Sequence, residues 1–311
     1  MAVYITGDCH GSLSKIKFLC AECDTGSEDV LVVLGDFGVN YSLGEKDRIR
    51  KEELSKLPIT ILAIHGNHDA RPEDLEQYKE VAWKEGIVYV EEKYPNILFA
   101  KDGEIFRFGD KRCIAIGGAY SVDKHYRLMT GLPWFENEQP SKEIKQYVEN
   151  QLQSVDWHVD YVFSHTCPLK YEPSDLFLDF INQDKVDKST EEWLSEIERK
   201  LKYERWYFGH FHENREYGNA EMLFEAIKEL GTDKIVIRVG RPIYKKGEFV
   251  SFDFDNGKEK TEMYGRIAVI DAYGTLGQSR EVSYDIQASD GVLYKHIPES
   301  DVFGFRDAEE Y

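Results

Sequence analysis

At 311 residues the chain exceeds a comfortable single core, and its net charge of −19 argues against a protein that coats nucleic acid or lies on an anionic membrane. No run approaches 18 consecutive apolar residues, and the chain enters a strand directly without a basic or apolar leader, so a cytoplasmic protein with no membrane partner is expected. The five cysteines are odd in number and scattered, which suits reduced thiols; Cys20 and Cys23 have CxxC spacing but share a helical apolar stripe with Leu13, Ile16 and Leu19, so core thiols are expected there.

Residues 3–64 alternate as strand, helix, strand, helix, strand, with Ser12 as an N-cap and the charged segment 44–56 as a solvent-facing helix. This is the βαβαβ rhythm of a parallel sheet with crossover helices. Residues 70–96 are acidic and read as partly helical and peripheral. From 97 to 116, short strands separated by Asp102-Gly103 and Gly109-Asp110 predict an antiparallel meander that extends or faces the first sheet. A helix after Ser141 carries Ile144, Tyr147, Val148 and Leu152 on one face. The turn-rich segment 166–188 is long enough to lie over a site. Ser189-Thr190-Glu191-Glu192 has capping-box spacing, ahead of a helix burying Leu194, Ile197 and Leu201. Beyond residue 234, short strands joined by Lys-Gly, Asn-Gly, Tyr-Gly and Asp-Gly turns predict a small all-β barrel. The expected division is therefore 1–233 and 234–311.

The chemistry sits at strand ends. Apolar strands run into Gly7-Asp8-Cys9-His10, Gly35-Asp36, Gly66-Asn67-His68-Asp69, Ser164-His165 and Gly209-His210-Phe211-His212. Ligands bind at that edge of α/β sheets, and a turn alone needs no such mixture of carboxylate, amide and imidazole. Asp8, His10, Asp36, Asn67, His165, His210 and His212 together suit divalent transition metals such as Mn, Fe or Zn better than Ca or Mg. Seven donors are too many for one tetrahedral zinc, but serve two ions roughly 3.5 to 4 Å apart with one bridging carboxylate.

These blocks, in this order, resemble the calcineurin-like metallophosphoesterase superfamily, whose pattern is DxH, GD, GNH[DE], H and GHxH. The resemblance implies an α/β fold, a two-sheet β-sandwich flanked by helices. It also implies a binuclear site in which Asp8, His10 and His212 hold one metal, Asn67, His165 and His210 the other, and Asp36 bridges them. By the same resemblance a bimetal-activated hydroxide attacks phosphorus in line, His68 acts as acid or transition-state stabiliser, and Asp69 orients His68. Many relatives continue the second block with an outer Asp, which is missing from Asp36-Phe37-Gly38-Val39-Asn40. Asn40 and Arg127 are the candidate substrate contacts in its place.

The expected activity is hydrolysis of a phosphorylated small molecule or nucleotide. The rival expectation is a catalytically silent interaction module, although such members lose ligand histidines and none is lost here. A nucleic-acid-processing role calls for a basic groove, which the acidic balance opposes. The residues after 234 show no metal or acid-base spacing, so the C-terminal part is expected to serve protein interaction or oligomerisation.

Overall fold

The computed structural model describes residues 1–177, 182–238, 242–255, 260–271 and 282–304. Up to Ala100 the chain forms β1 (Val3–Thr6), α1 (Ser14–Glu22), β2 (Val30–Val33), α2 (Glu45–Leu54), β3 (Thr60–Ala63), β4 (Tyr78–Trp83), β5 (Gly86–Glu91) and β6 (Ile97–Ala100). It continues with β7 (Ile105–Phe108), β8 (Lys111–Ile116), α3 (Lys124–Thr130), α4 (Lys142–Ser154), β9 (Tyr161–Ser164), α5 (Ser189–Lys200) and β10 (Arg205–Phe208). Four strands follow: β11 (Arg215–Tyr217), β12 (Ala220–Met222), β13 (Ala226–Glu229) and β14 (Ile235–Arg238).

Two sheets result, in the orders β14-β13-β1-β2-β3-β6-β5-β4 and β11-β12-β10-β9-β8-β7. Their centres are parallel, β1-β2-β3-β6 in one and β8-β9-β10-β12 in the other. Strand alternation decides which side chains meet. Val32 and Leu62 from the first sheet share a buried cluster with Cys113, Ala115, Phe163 and Tyr207 from the second, which makes the sandwich core. The intervening residues Ile114, Ile116, Val162, Trp206 and Phe208 face the other way, against Val148 and Leu152 of α4 and Leu194 and Ile197 of α5. The fold is thus the helix-flanked two-sheet sandwich read from the sequence.

Several local expectations are corrected. Residues 70–96 are not partly helical beyond a single turn at Pro72–Asp74; they form the antiparallel hairpin β4–β5 at the edge of the first sheet. Its turn is made by Lys84 and Glu85, both at positive φ, a conformation that Gly or Asn would have advertised. The meander is divided, with β6 parallel to β3 in the first sheet and the β7–β8 hairpin in the second. Ser12 does not cap α1, which starts after Leu13. Nor does the capping box form at α5, where Asp187 accepts from the Ser189 N–H instead.

Compact units span Met1–Ile237 and Arg238–Tyr311. Strand β14, read from sequence as the start of the C-terminal part, is the edge of the first sheet, because its polar neighbours Thr232, Asp233 and Lys234 turn the chain back beside β13. The second unit is a half-barrel sheet of β15 (Phe249–Asp255), β16 (Lys260–Asp271), β17 (Ser283–Ala288), β18 (Leu293–Pro298) and β19 (Val302–Gly304), in the order β18-β17-β16-β15-β19. Its Gly247 and Gly291 turns carry φ of 86° and 83°. The Asn256-Gly257 and Tyr273-Gly274 turns, Val239, Glu281 and residues 178–181 of the 166–188 segment lie outside the described residues.

Candidate metal centre

The carboxyl ends of β1, β2, β3, β9 and β10 deliver their loops to one edge of the sandwich. There His10 Nε2 lies 2.8 Å from His212 Nε2, and Asp8 Oδ2 lies 3.2 Å from His212 Nε2 and 3.6 Å from His10 Nε2. Beside them His165 Nε2 is 2.8 Å from Asn67 Oδ1 and 3.6 Å from Asp36 Oδ1. Among the described residues, three trios of possible ligand atoms each fit within 4.8 Å: Asp8, His10 and His212; Asp8, Asp36 and His165; His10, Asp36 and His68. The structure therefore gathers Asp8, His10, Asp36, Asn67, His68, His165 and His212; His210 joins through its ring, 5.0 Å from that of His165.

Supporting contacts orient these groups. The Leu34 carbonyl accepts from His165 Nδ1 at 2.8 Å, which leaves the Nε2 lone pair facing inward. Asn67 Nδ2 donates to Ser121 Oγ at 2.9 Å, turning its carbonyl oxygen toward His165. Lys15 Nζ, buried on α1, donates to the carbonyls of Gly7, Asp8 and Phe224 and so pins the first loop. His10, Asp36, His210 and His212 all sit at positive φ, a strained state for non-glycine residues that persists at functional sites when the surroundings enforce it.

The electrostatics fit cations. Burial, then His212, lowers His10 to about 4, and burial, then His165, lowers His210 to about 3, so both rings are neutral near pH 7. Burial favours the neutral acid at Asp8 and Asp36, yet the surrounding imidazoles hold both below the usual carboxylate range. Among the described residues, buried Asp8 Oδ2 has no well-aligned hydrogen bond, its contact being His212 Nε2 at 3.2 Å. Neutral His10 and His210 rings and ionised Asp8 and Asp36 carboxylates converge with His212, whose pKa is lowered by burial but raised above the ordinary value by its contact with Asp8, and a divalent ion completes this donor set.

Sequence-predicted residues outside this cluster are placed differently. Asp69 does not orient His68; its oxygens accept from the Phe37 and Gly38 N–H groups at 3.0 Å each and hold the loop after Asp36. Burial, then Asp36, pushes its carboxyl up to about 7. The residue on the His68 ring is Arg127, whose Nη2 lies 3.2 Å from Nδ1. Asn40 is buried, accepts from Tyr78 Oη at 2.9 Å, and lines a separate cavity of about 350 Å³ with Lys51 and Glu91, away from the cluster. Sequence reasoning missed Lys15, Ser121 and Tyr41. A lysine inside the apolar stripe of α1 was the available signal for the first; the others carry none.

The glycines ahead of the ligands are steric requirements. At Gly35, φ is +95° and an added Cβ would fall 2.1 Å from His165 Nδ1. Gly35→Ala is expected to destabilise the fold by about 1–3 kcal/mol and to lower bound metal. Urea denaturation with metal analysis checks this, and wild-type values in both would refute it.

A two-sheet α/β sandwich with a His- and Asp-rich cluster at its carboxyl edge is the class these features define. The calcineurin-like phosphoesterase family matches residues 1–214, and the chain belongs to that family. Among solved structures it is similar to the phosphopantetheinyl hydrolase PptH from Mycobacterium tuberculosis at 15% identity, covering 72% of this chain and 88% of that one with a TM-score of 0.42. It is also similar to a protein of unknown function from Aquifex aeolicus at 15% identity, covering 53% and 80% with a TM-score of 0.27. No curated protein matches the chain in sequence. Among the described residues, no helix is long and apolar enough to cross a membrane.

Proposed function

We propose that this chain is a metal-dependent phosphoester hydrolase acting on a phosphorylated small molecule or nucleotide. The observation that carries the reading is the gathering of Asp8, His10 and His212 in one trio of possible ligand atoms, with Asp36 in two further trios beside them; we read Asp8, His10 and His212 as ligands of one ion, Asn67, His165 and His210 as ligands of the other, and Asp36 as shared by both. Mn, Fe or Zn suits this donor set. When bound, two such ions supply hydroxide near neutral pH and offset the charge of the phosphoryl oxygens.

The protein's own part centres on His68. A guanidinium only donates, so Arg127 fixes Nδ1 as the acceptor and leaves the ring proton on Nε2. Burial keeps the pKa of His68 below its ordinary value, so the ring is neutral near pH 7 and presents an N–H to charge developing on oxygen. Arg127 also donates to Asp123, Tyr41 and the Pro133 carbonyl, which makes it a holder of His68 rather than a spare phosphate clamp. Arg127→Met is expected to lower kcat by roughly 10- to 100-fold with metal content intact; an unchanged kcat would remove this role.

The five free thiols favour a reducing, cytoplasmic setting. The units are read as a catalytic part and an accessory part for protein interaction or oligomerisation. A chain ending after Arg238 should keep hydrolysis of small aryl phosphates within about tenfold. One ending at Thr232 strips β14 from β13 and should aggregate. A soluble, metal-loaded but inactive chain ending after Arg238 would overturn that division. The activity itself is tested by a Mn²⁺-supplemented panel of p-nitrophenyl phosphate, bis-p-nitrophenyl phosphate, nucleotides and phosphopeptides; no turnover by metal-loaded protein on any of them would sink the reading.

A further inference from the structure

A cavity of about 420 Å³ is lined by Asp36, Asn67, His68, His210 and His212 and, beyond them, by a wall that the phosphoester chemistry does not use. Part of that wall is apolar, although Asp123, Glu172, Lys188 and Glu191 also line it. Phe177 and Phe211 stack with centroids 6.3 Å apart and planes 30° apart, and Val122, Leu176 and Val186 line the same space. We infer that this wall receives an uncharged aromatic leaving group, making the substrate a small phosphoester with a planar ring attached through its alcohol. The inference rests on the phosphoesterase reading and names the substrate class of that site.

Size, shape and charge support it together. The volume falls in the range of small-molecule pockets. The half-buried rings of Phe177 and Phe211, with Val122, Leu176 and Val186, offer apolar surface beside the ligand cluster against which another ring gains burial and edge or offset contact. The lining cation Lys188 is taken: its Nζ lies 2.7 Å from Glu172 and 5.0 Å above the Phe177 ring. Arg127 is committed to His68 and Asp123. Asp123 and Glu191 add carboxyl groups to the lining, so a second phosphate on the leaving group meets no unengaged cation among the described lining residues and is disfavoured.

The test compares esters whose leaving alcohols differ little in reactivity, so that contact with the wall rather than leaving-group chemistry is probed. With metal-loaded full-length protein, kcat/KM for 2-phenylethyl phosphate should exceed that for propyl phosphate by roughly tenfold or more. Adenosine 5′-monophosphate against ribose 5-phosphate asks the same of a nucleobase, and whichever pair shows the larger ratio identifies the kind of ring. Phe177→Ala should bring the ratio toward one at wild-type metal content. If that variant fails to fold, Phe211→Leu, which keeps apolar volume and removes the ring, should do the same. Ratios near one for both pairs in the wild-type protein, or ratios that survive both substitutions, overturn the inference while leaving phosphoester hydrolysis standing. Loaded wild-type protein that turns over none of the four esters but does turn over members of the wider panel overturns the inference alone; turnover of neither set removes the phosphoesterase reading, and the inference falls with it.

Discussion

Asp36→Asn is expected to release both metal equivalents at once and to lower turnover on the order of 10³-fold or more, since each ion contributes several kcal/mol to the transition state. Asp36 is buried and belongs to two of the three ligand trios, with its oxygens 3.6 Å from His165 Nε2 and 3.6 Å from His68 Nδ1. Asn preserves its volume but turns one acceptor into a donor and removes the charge, which leaves like-facing groups around an absent cation. Elemental analysis of the folded variant decides the matter. Two full equivalents per chain would show that Asp36 does not serve both ions.

His68→Gln separates the roles in the opposite sense. Metal content should remain at the wild-type level while turnover falls by roughly 10² to 10⁴, the usual contribution of a positioned acid. The expectation rests on Arg127 holding Nδ1, because a nitrogen engaged by a guanidinium is not free to bind a cation. His68 nevertheless stands within the trio of His10 and Asp36. Loss of one metal equivalent along with activity would therefore identify His68 as a ligand, with Arg127 as the residue that orients its ring.

Much of this was legible because it repeats. Parallel strands buried on both faces read as continuous apolar runs, and β2 and β3 show such runs at 30–34 and 60–64. The glycines at 7, 35, 66 and 209 were visible as punctuation, and the structure gives them a cause at Gly35 and Gly66, where a Cβ would strike His165 and Asp36. Edges were less legible. The β4 strand is largely exposed and carries Lys79, Glu80 and Ala82 between its aromatic ends, so it lacks the apolar alternation that marks a strand.

By itself the sequence determined which side chains stand at the carboxyl ends of the central strands, because apolar runs and the residues that end them are local properties of the chain. The same runs determined the βαβαβ parallel sheet of residues 3–64, while the second sheet facing it was implied only by the family resemblance. Only the tertiary structure decided which sheet receives β6 and which the β7–β8 hairpin, since an apolar strand pairs with either until the core between the sheets is filled. Only the tertiary structure decided that Arg127 rather than Asp69 lies on His68. Asp69 is the sequence neighbour, but its carboxylate meets two backbone N–H groups 31 and 32 residues away, while a guanidinium 59 residues away reaches the ring. Adjacency along a loop says little about direction; the packing of distant segments sets it.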